Sequence, residues 1–428
     1  MVRKTGVSLP DASSPALSFD ALDSLFSAAL REALCTLKSS GPVLIIPPDI
    51  TRIYSCAGFL TGVASRVLGD RLGAVMPALG THQAVTEEEQ RRMYPDVPPE
   101  KFLVHDWRNG VETLGRIEGP WVEKATEGKV KYDWPVQVNK LLLNGNFSMI
   151  LSIGQVVPHE VTGMANHTKN IFVGTGGKEA IDKSHFAGAA YGMERIMGRT
   201  DTPVRALFDE GFRRFGDKLP PVFFALTVVD AGLAVRGFYT GFGRECFEKA
   251  AALSREVNID TLEEPVKKAV VYLEPEEFRT TWLGNKAIYR TRMAMASGGE
   301  LLILAPGLQR FGEDLEADKL IRRYGYCPGR VILDKVAREK DLAENLSVAA
   351  HLIHGSSEER FTVRYCPGPG LSRQEIEPVG FEWGSLEEAY ARYNVKELKP
   401  GWNTHGDGER FFFVPNPALG LWALKTNF

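Results

Sequence analysis

The chain has 428 residues, of which 44% are hydrophobic and 25% are charged; this composition is typical of globular proteins, and the length predicts two or three domains. The formal net charge of -3 provides no broad basic field, so we expect no nucleic-acid partner. No apolar run approaches the roughly 20 residues that cross a bilayer, so we expect no membrane partner either.

The N-terminal residues and the cysteines predict a cytoplasmic protein. Arg3 and Lys4 are not followed by the apolar stretch that a secretory signal peptide contains. The five cysteines are scattered along the chain and include no C-x-x-C pair. An odd number of cysteines without that spacing favours reduced thiols over a disulfide framework or a zinc ribbon.

Short apolar runs alternate with longer amphipathic stretches, and this alternation predicts α/β architecture. Predicted helices cover residues 19–38 and 54–67. The predicted strands cover residues 43–46, 73–79, 149–153, 223–229, 269–273 and 301–305.

An acidic segment that ends at Pro265 predicts a junction between domains. We therefore expect an N-terminal α/β domain over residues 1–260 and a C-terminal α/β domain over residues 261–410. The last segment, residues 411–428, contains two short strand-like pieces. We expect it to return to the first domain and complete a sheet there.

Three side chains that can carry acid–base chemistry closely follow predicted strands: Asp49, His82 and His159. In open α/β sheets, ligands bind beyond the carboxyl ends of the strands. The sequence therefore predicts a functional site at that edge of a sheet.

The spacing of these and further residues identifies a family. Pro158-His159 is followed ten residues later by Lys169, which is followed sixteen residues later by His185. The upstream motifs are Asp49-x-Thr51-Arg52, Gly80-Thr81-His82 and Thr86-Glu87-Glu88-Glu89. In order and separation, this set resembles the lactate racemase family, whose members invert the α-carbon of a 2-hydroxy acid with a nickel-pincer nucleotide.

The resemblance implies two anchors for that cofactor, a pyridinium-3-thioamide-5-thiocarboxylate mononucleotide that holds nickel. Lys169 would form the covalent link, and His185 would supply a nitrogen ligand to the metal. Burial beside other cations lowers the pKa of a lysine toward the reactive neutral amine, and an imidazole suits nickel in a square-planar field. The alternative for Lys169 is a solvated side chain in the polar run 166–170.

By the same resemblance, His82 and His159 would be the acid–base pair. Inversion needs a group on each face of the substrate, and histidine titrates near neutral pH. One histidine would take the hydroxyl proton while the cofactor accepts the α-hydrogen as hydride, which gives a planar 2-keto acid. Hydride would then return to the other face, and the histidines would exchange roles with the direction of reaction. A structural role for each imidazole is the competing interpretation.

A carboxylate substrate also needs cationic partners. Arg52 can bind a carboxylate through two hydrogen bonds, and Lys286 falls at the position of the family's second-domain lysine. Asp49 is expected to orient Arg52 or a hydroxyl of the cofactor. The alternatives are a lysine on a helix surface for Lys286 and an aspartate that stabilises a turn for Asp49.

Gly174, Thr175 and Gly176 precede a predicted helix. Their backbone amides could bind the cofactor phosphate at the helix N-terminus, and an ordinary lead-in to the helix is the alternative. For the whole chain, the resemblance implies two α/β domains with the active site in the cleft between them. His105 is followed by Asp106, and the alternatives for these two residues are that they line the cleft or that they form a structural pair.

The chain departs from the family in residues expected to shape the pocket. The usual Gly-Phe-Ser-Gly-Gly run before the lysine is replaced by residues 163–167, Gly-Met-Ala-Asn-His. Leu283 replaces a glutamine, and the family's tryptophan is missing near Asn345. Added space and added polar groups predict a 2-hydroxy acid larger or more polar than lactate.

Two other hypotheses stay open. In an enzyme of another class, Lys169 could form a Schiff base or the histidines could bind a hydrolytic metal, although the H-E-x-x-H motif is missing. The second alternative is a binding protein that has kept the fold and lost the activity. A racemase of this kind would also depend on cofactor-synthesis proteins of the host as partners.

Overall fold

A mostly parallel sheet organises the first of two units into which the chain divides. The computed structural model describes residues 15–418 and 420–428, so the predicted feature at Arg3 and Lys4 lies outside the described residues. Unit 1 comprises the described residues up to Ala187 together with Arg195–Asn258, and unit 2 comprises Gly188–Glu194 and Ile259–Phe428. The α/β class predicted from the sequence is confirmed.

The strands of unit 1 form a main sheet in the order β2-β1-β5-β8-β9, with two separate hairpin-like pairs, β3-β4 and β6-β7. Their bounds are β1 (Val43–Ile46), β2 (Leu72–Val75), β3 (Val111–Ile117), β4 (Trp134–Asn139), β5 (Met149–Gln155), β6 (Pro158–His159), β7 (Gly163–Met164), β8 (Val222–Val229) and β9 (Val235–Gly241). Strand β1 pairs in parallel with β2 and β5, β5 pairs in parallel with β8, and β9 is antiparallel to β8.

Continuous apolar runs account for these central strands. Every residue of β1 and of β8 is buried, as expected for strands that are covered on both faces. The predicted strand 73–79 ends at Val75, because Pro77 has no amide hydrogen for a ladder. The chain beyond Val75 still follows β1 and its continuation, since the amide of Ala78 donates to the carbonyl of Pro47 at 2.7 Å.

The helices of unit 1 cover the sheet. Their bounds are α1 (Phe19–Thr36), α2 (Ala57–Leu68), α3 (Glu87–Met93), α4 (Gly119–Ala125), α5 (Leu141–Asn144), α6 (Thr168–Phe172), α7 (Lys178–Tyr191), α8 (Pro203–Phe215) and α9 (Arg244–Asn258). Leu22, Phe26 and Leu30 of α1 belong to the core that contains Val43 and Leu151. Helix α2 begins later than predicted, because Cys56 is left-handed (φ 63°) and separates α2 from the short 3-10 helix Ile50–Ser55.

Unit 2 contains a second sheet, in the order β14-β13-β12-β11-β16-β15, and a short parallel pair, β10-β17. The strand bounds are β10 (Asp260–Leu262), β11 (Val266–Tyr272), β12 (Met295–Ala305), β13 (Thr362–Pro367), β14 (Glu382–Trp383), β15 (Gly401–Thr404), β16 (Arg410–Val414) and β17 (Trp422–Leu424). The helix bounds are α10 (Thr281–Gly284), α11 (Lys286–Thr291), α12 (Leu315–Tyr324), α13 (Gly329–Arg338), α14 (Lys340–Ala343), α15 (Leu346–His354), α16 (Arg373–Ile376) and α17 (Leu386–Arg392).

The C-terminal segment differs from its prediction. We expected residues 411–428 to return to the first domain, but the structure groups them with unit 2. Strand β16 pairs with β11 and strand β17 pairs with β10. The physical reason is apolar burial, because Phe411 and Phe413 pack into the same core as Val270 of β11.

Among the described residues, no helix combines the length and the apolar composition needed for a membrane crossing.

Candidate functional site

The site in unit 1 is built beyond the carboxyl ends of parallel strands. Asp49 follows β1, His82 follows β2, and His159 ends β6 just after β5. Because β1, β2 and β5 run in the same direction, their carboxyl ends share one edge of the sheet. Tyr94 supports this edge by donating its hydroxyl hydrogen to the carbonyl of Pro48.

Asp49 and His82 form a pair. Nδ1 of His82 lies 2.6 Å from Oδ2 of Asp49, and the other carboxylate oxygen accepts hydrogen bonds from the amide and the hydroxyl of Thr51. Burial opposes ionisation of Asp49, but the hydrogen bonds from His82 and Thr51 outweigh it and hold the pKa of the carboxyl below its usual value. The aspartate side chain is 6% exposed, whereas that of His82 is 61% exposed.

Asp49 contacts more than the groups expected for it. Its two oxygens accept hydrogen bonds from His82 and Thr51, and the bond from Thr51 is the turn-stabilising contact that was the alternative for this residue. The charge of Arg52 also lowers the pKa of Asp49, and the role of Asp49 toward Arg52 or a cofactor hydroxyl stays a prediction. The arrangement leaves Nε2 of His82 as the nitrogen that faces away from the pair.

His159 is held differently. It lies in the short β6-β7 pair, is 7% exposed, and accepts a hydrogen bond at Nδ1 from the amide of Val161 at 3.1 Å. Burial is the main reason that its pKa lies well below the usual histidine value; the charges of Lys169 and Arg52 lower it further, and Glu160 opposes them. A neutral imidazole that accepts at Nδ1 carries its hydrogen on Nε2.

Lys169 lies in the first turn of α6 and is half-buried. Burial, reinforced by the charge of Arg52, lowers the pKa of its amine to about 8, against the opposing charge of Glu160. The next residue, Asn170, donates from Nδ2 to Oγ of Ser152 at 2.9 Å and to the carbonyl of Ile46 at 3.3 Å. These bonds attach α6 to strands β5 and β1 and thereby fix the lysine at the sheet edge.

His185 lies on α7, where a backbone carbonyl holds one nitrogen of its ring. Its Nδ1 is 2.8 Å from the carbonyl of Ile181, one helical turn earlier. Burial and the charge of Lys169 lower the pKa of the imidazole to about 4, so the ring is neutral at pH 7. A donor bond from Nδ1 to this carbonyl leaves the lone pair on Nε2, so that Nε2 is the nitrogen that could ligate a metal.

The predicted residues of unit 1 therefore form one electrostatic group. The charges of Arg52 and Lys169 act on His159, and those of Lys169 and His82 act on His185. Sequence reasoning missed one member of this group, Glu160, whose charge acts on Lys169 and on both histidines. Its position directly after His159 was the available signal.

The glycine-rich turn differs from its prediction. Gly174, Thr175 and Gly176 are buried, and their amides donate to the carbonyls of Lys169, Ile171 and Val173. The amides that we expected to bind a cofactor phosphate are thus used inside the protein. The glycines are needed for close packing, because a Cβ atom on Gly176 would lie 2.0 Å from the carbonyl oxygen of Phe172.

His105 stabilises this turn. Its Nε2 lies 3.0 Å from the carbonyl oxygen of Gly176, and its Nδ1 lies 2.9 Å from Nδ2 of Asn139. Burial lowers the pKa of His105. The carboxylate of Asp106, one expected partner of His105, accepts hydrogen bonds from the amides of Arg108 and Asn109.

Lys286 belongs to unit 2, where it begins helix α11. Its Nζ lies 5.7 Å from the ring centroid of Phe278. The preceding residue, Asn285, is fully buried and accepts a hydrogen bond from the hydroxyl of Tyr365 at 2.7 Å. Lys286 therefore lies at the start of a helix that is anchored by the buried, hydrogen-bonded Asn285.

A metal centre made of protein side chains alone is not seen in the described ranges, 15–418 and 420–428, which contain no cluster of three or more His, Cys, Asp or Glu side chains able to hold a metal ion. A single available imidazole, that of His185, fits a metal whose other donors come from a cofactor. The amine of Lys169 fits the covalent link to such a group, since its pKa of about 8 leaves a usable fraction neutral.

Known proteins resemble this chain in one segment of sequence and in fold. The family model described as the lactate racemase N-terminal domain matches residues 19–195. A crystal structure of a protein from Thermotoga maritima aligns with a TM-score of 0.79 and 23% sequence identity, covering 96% of this chain and 99% of that one. The lactate racemase apoprotein from Thermoanaerobacterium thermosaccharolyticum aligns with a TM-score of 0.69 and 16% identity, covering 93% and 92%.

No curated protein sequence matches the chain significantly. The two solved structures establish a shared fold. The matched segment contains every candidate residue except Lys286. Residues 19–195 of this chain are thus similar to the lactate racemase N-terminal domain.

Proposed function

We propose that this protein is an isomerase that racemises or epimerises a 2-hydroxy acid and carries a nickel-pincer nucleotide on Lys169. One observation carries the proposal. Burial lowers the pKa values of Lys169 and His185, and both residues interact electrostatically with His159. His185 also interacts with His82. All four belong to the segment that matches the lactate racemase domain.

Two residues would hold the cofactor. The neutral amine of Lys169 would form the amide-type bond, and Nε2 of His185 would ligate nickel, since its Nδ1 is engaged by the carbonyl of Ile181. When bound, the cofactor would supply a hydride acceptor for the α-hydrogen of the substrate.

His82 is suited to take the hydroxyl proton of the substrate. Its Nδ1–H donates to the carboxylate of Asp49, so the lone pair of Nε2 is available as a base. Once Nε2 is protonated, the anionic Asp49 stabilises the resulting imidazolium, as the aspartate does in a Ser-His-Asp triad.

His159 is suited to the opposite role. Because its Nδ1 accepts from the amide of Val161, the neutral ring presents a hydrogen at Nε2. Protonating the second nitrogen would place two donors against each other, which agrees with the low pKa of this residue. We therefore propose that His82 acts first as the base and His159 as the donor in one direction of reaction, with the roles exchanged in the other.

Cationic side chains would bind the substrate carboxylate. Arg52 lies within electrostatic range of His159 and Lys169 and can form two parallel hydrogen bonds to a carboxylate. We propose Lys286 as a second carboxylate ligand, because it falls at the position of the second-domain lysine in the lactate racemase family.

The substrate is proposed to be a 2-hydroxy acid larger or more polar than lactate, such as a sugar acid or a hydroxy diacid. The support is the replacement of family residues at Leu283 and near Asn345. Asn166 and His167 no longer contribute to this argument, because both are buried and His167 packs between Phe224 and Phe247.

Intact-mass and metal analysis of the chain from its native host tests the cofactor assignment. We expect a covalent adduct on the wild type, no adduct on Lys169→Ala, and an adduct that retains little nickel on His185→Ala. Lys178→Ala is the matched control, because Lys178 is an exposed lysine at the start of α7; it should keep both. An adduct that persists in Lys169→Ala would refute the proposal.

A further inference from the structure

The chain enters helix α6 through a turn with an unusual backbone. Asn166 and His167, the two residues before the helix, both have positive φ values of 67° and 58°. Residues other than glycine seldom adopt positive φ values, and two such residues in succession need support from the surrounding structure. Lys169 follows only two residues after His167, so the shape of this turn determines the position of the lysine.

Arg205 lies directly behind the turn. It is the third residue of α8, is 0% exposed, and has its guanidinium carbon 4.3 Å from the ring centroid of Phe247. Burial lowers the pKa of Arg205 only to about 10, so the guanidinium remains charged at neutral pH. A buried cation of this kind is stable only where acceptors surround it.

The acceptors of Arg205 bracket the turn. One terminal nitrogen donates to the carbonyl of Met164 at 2.6 Å, and the other donates to the carbonyl of Asn166 at 3.1 Å and to Oγ1 of Thr168 at 3.0 Å. The guanidinium thus contacts Met164 ahead of the turn, Asn166 within the turn and Thr168, the first residue of α6. Asp209, one helical turn further along α8, accepts from the hydroxyl of Thr168 at 2.8 Å.

We propose that Arg205 is the positioning residue for Lys169: its planar guanidinium holds the left-handed turn at Asn166 and His167 and so fixes the start of the helix that carries the lysine. The importance of this position rests on the proposed function of Lys169. The conformational part does not, because it concerns the backbone of the protein without cofactor. Lysine could not replace Arg205, since one ammonium cannot present two fixed nitrogens to acceptors on both sides of the turn.

Hydrogen exchange of the cofactor-free full chain, read by mass spectrometry, tests the proposal together with acetylation of Lys169. In Arg205→Gln we expect amide exchange over residues 164–172 to accelerate about tenfold or more, as for the loss of hydrogen bonds to a charged group. The acetylation rate of Lys169 should change with it. Arg205→Lys should behave in the same way, whereas Arg213→Gln, an exposed arginine on the same helix, should match the wild type.

A rescue variant separates positioning from general stability. Glycine adopts positive φ without strain, so Asn166→Gly added to Arg205→Gln should restore part of the slow exchange over residues 164–172. If Arg205→Gln does not fold, Thr168→Val decides, because at nearly constant side-chain size it removes one acceptor of the guanidinium together with the hydrogen bond from the Thr168 hydroxyl to Asp209. A local rise in exchange supports the proposal; wild-type exchange and acetylation in Thr168→Val, or in a folded Arg205→Gln, would overturn it. A wild-type chain that never carries a cofactor would refute the proposed function and leave this result standing.

Discussion

Nδ1 of His82 lies 2.6 Å from Oδ2 of Asp49, and this bond joins the residue that follows strand β2 to the residue that follows strand β1. It fixes which nitrogen of the imidazole can accept a proton. The same contact places an anionic carboxylate where an imidazolium would form during catalysis.

Asp49→Asn should therefore lower kcat strongly while leaving the cofactor adduct in place. The amide of asparagine can donate to Nδ1, which would force the ring hydrogen onto Nε2 and block the base. A change of this kind in a hydrogen-bonded His-Asp pair costs about 10²–10⁴-fold in kcat. Racemisation assays with intact-mass measurement on the same sample provide the check.

Thr51→Val is the control for Asp49→Asn, because it removes another donor to the same carboxylate without touching His82. Loss of one such hydrogen bond should reduce kcat by at most about a hundredfold. Equal activity of Asp49→Asn and the wild type would show that the pair has no part in proton transfer.

The strand-end positions could be predicted from the sequence because they depend on local patterns. Apolar runs indicated the strands, and parallel strands place their carboxyl ends together, which brought Asp49, His82 and His159 to one edge. The pairing of Asp49 with His82 could not be predicted, since it depends on the path of the chain between two residues 33 positions apart.

The turn around Gly174 shows a second limit. A glycine-rich segment before a helix is compatible with phosphate binding and with close packing. Only the fold shows that the amides of Gly174 and Gly176 are bonded to carbonyls within the protein. The left-handed turn at Asn166 and His167 was likewise beyond the sequence, because the stabilising Arg205 lies about 40 residues further along the chain.

Gly176→Ala should destabilise the protein. A Cβ atom at this position would lie 2.0 Å from the carbonyl oxygen of Phe172, whose backbone cannot move freely. Overpacking of this kind costs about 1–3 kcal/mol in the free energy of unfolding, or more. Gly243→Ala is the matched control, because its Cβ atom would meet no atom within 4 Å. Unchanged denaturant midpoints for both variants, with weaker cofactor retention in Gly176→Ala, would instead favour a phosphate site.

His167 should make stability depend on pH. His167 is 4% exposed between Phe224 and Phe247, and burial holds the pKa of its imidazole well below the ordinary histidine value. Below about pH 6.5, His167 therefore binds a proton in the unfolded chain but not in the folded chain. As a result, the free energy of unfolding decreases as the pH falls. His167→Phe removes this proton and should reduce the slope by about 1.4 kcal/mol per pH unit. Urea denaturation between pH 7.5 and 5 measures the slope of unfolding free energy against pH. His405→Gln is the control, because His405 is partly exposed. An unaltered slope in His167→Phe would contradict the role assigned to His167.

The fate of the α-hydrogen distinguishes hydride return from proton abstraction. Cofactor-loaded protein is incubated with a panel of 2-hydroxy acids in deuterated water, and the products are separated by chiral chromatography and weighed by mass spectrometry. If His82 and His159 handle only the hydroxyl proton, the inverted product should carry little deuterium at the α-carbon, because hydride does not exchange with solvent. Extensive deuterium incorporation would mean that a side chain removes the α-hydrogen as a proton, and Lys169→Ala should give no inversion in either case.

The same panel tests the substrate proposal. Changes of pocket residues alter discrimination by about 10–200-fold per methylene-sized difference. If Leu283 lines the pocket, as we propose, a sugar acid or a hydroxy diacid should exceed lactate in kcat/KM. A wide preference for lactate would overturn that part alone and leave the racemase assignment supported by the inversion itself.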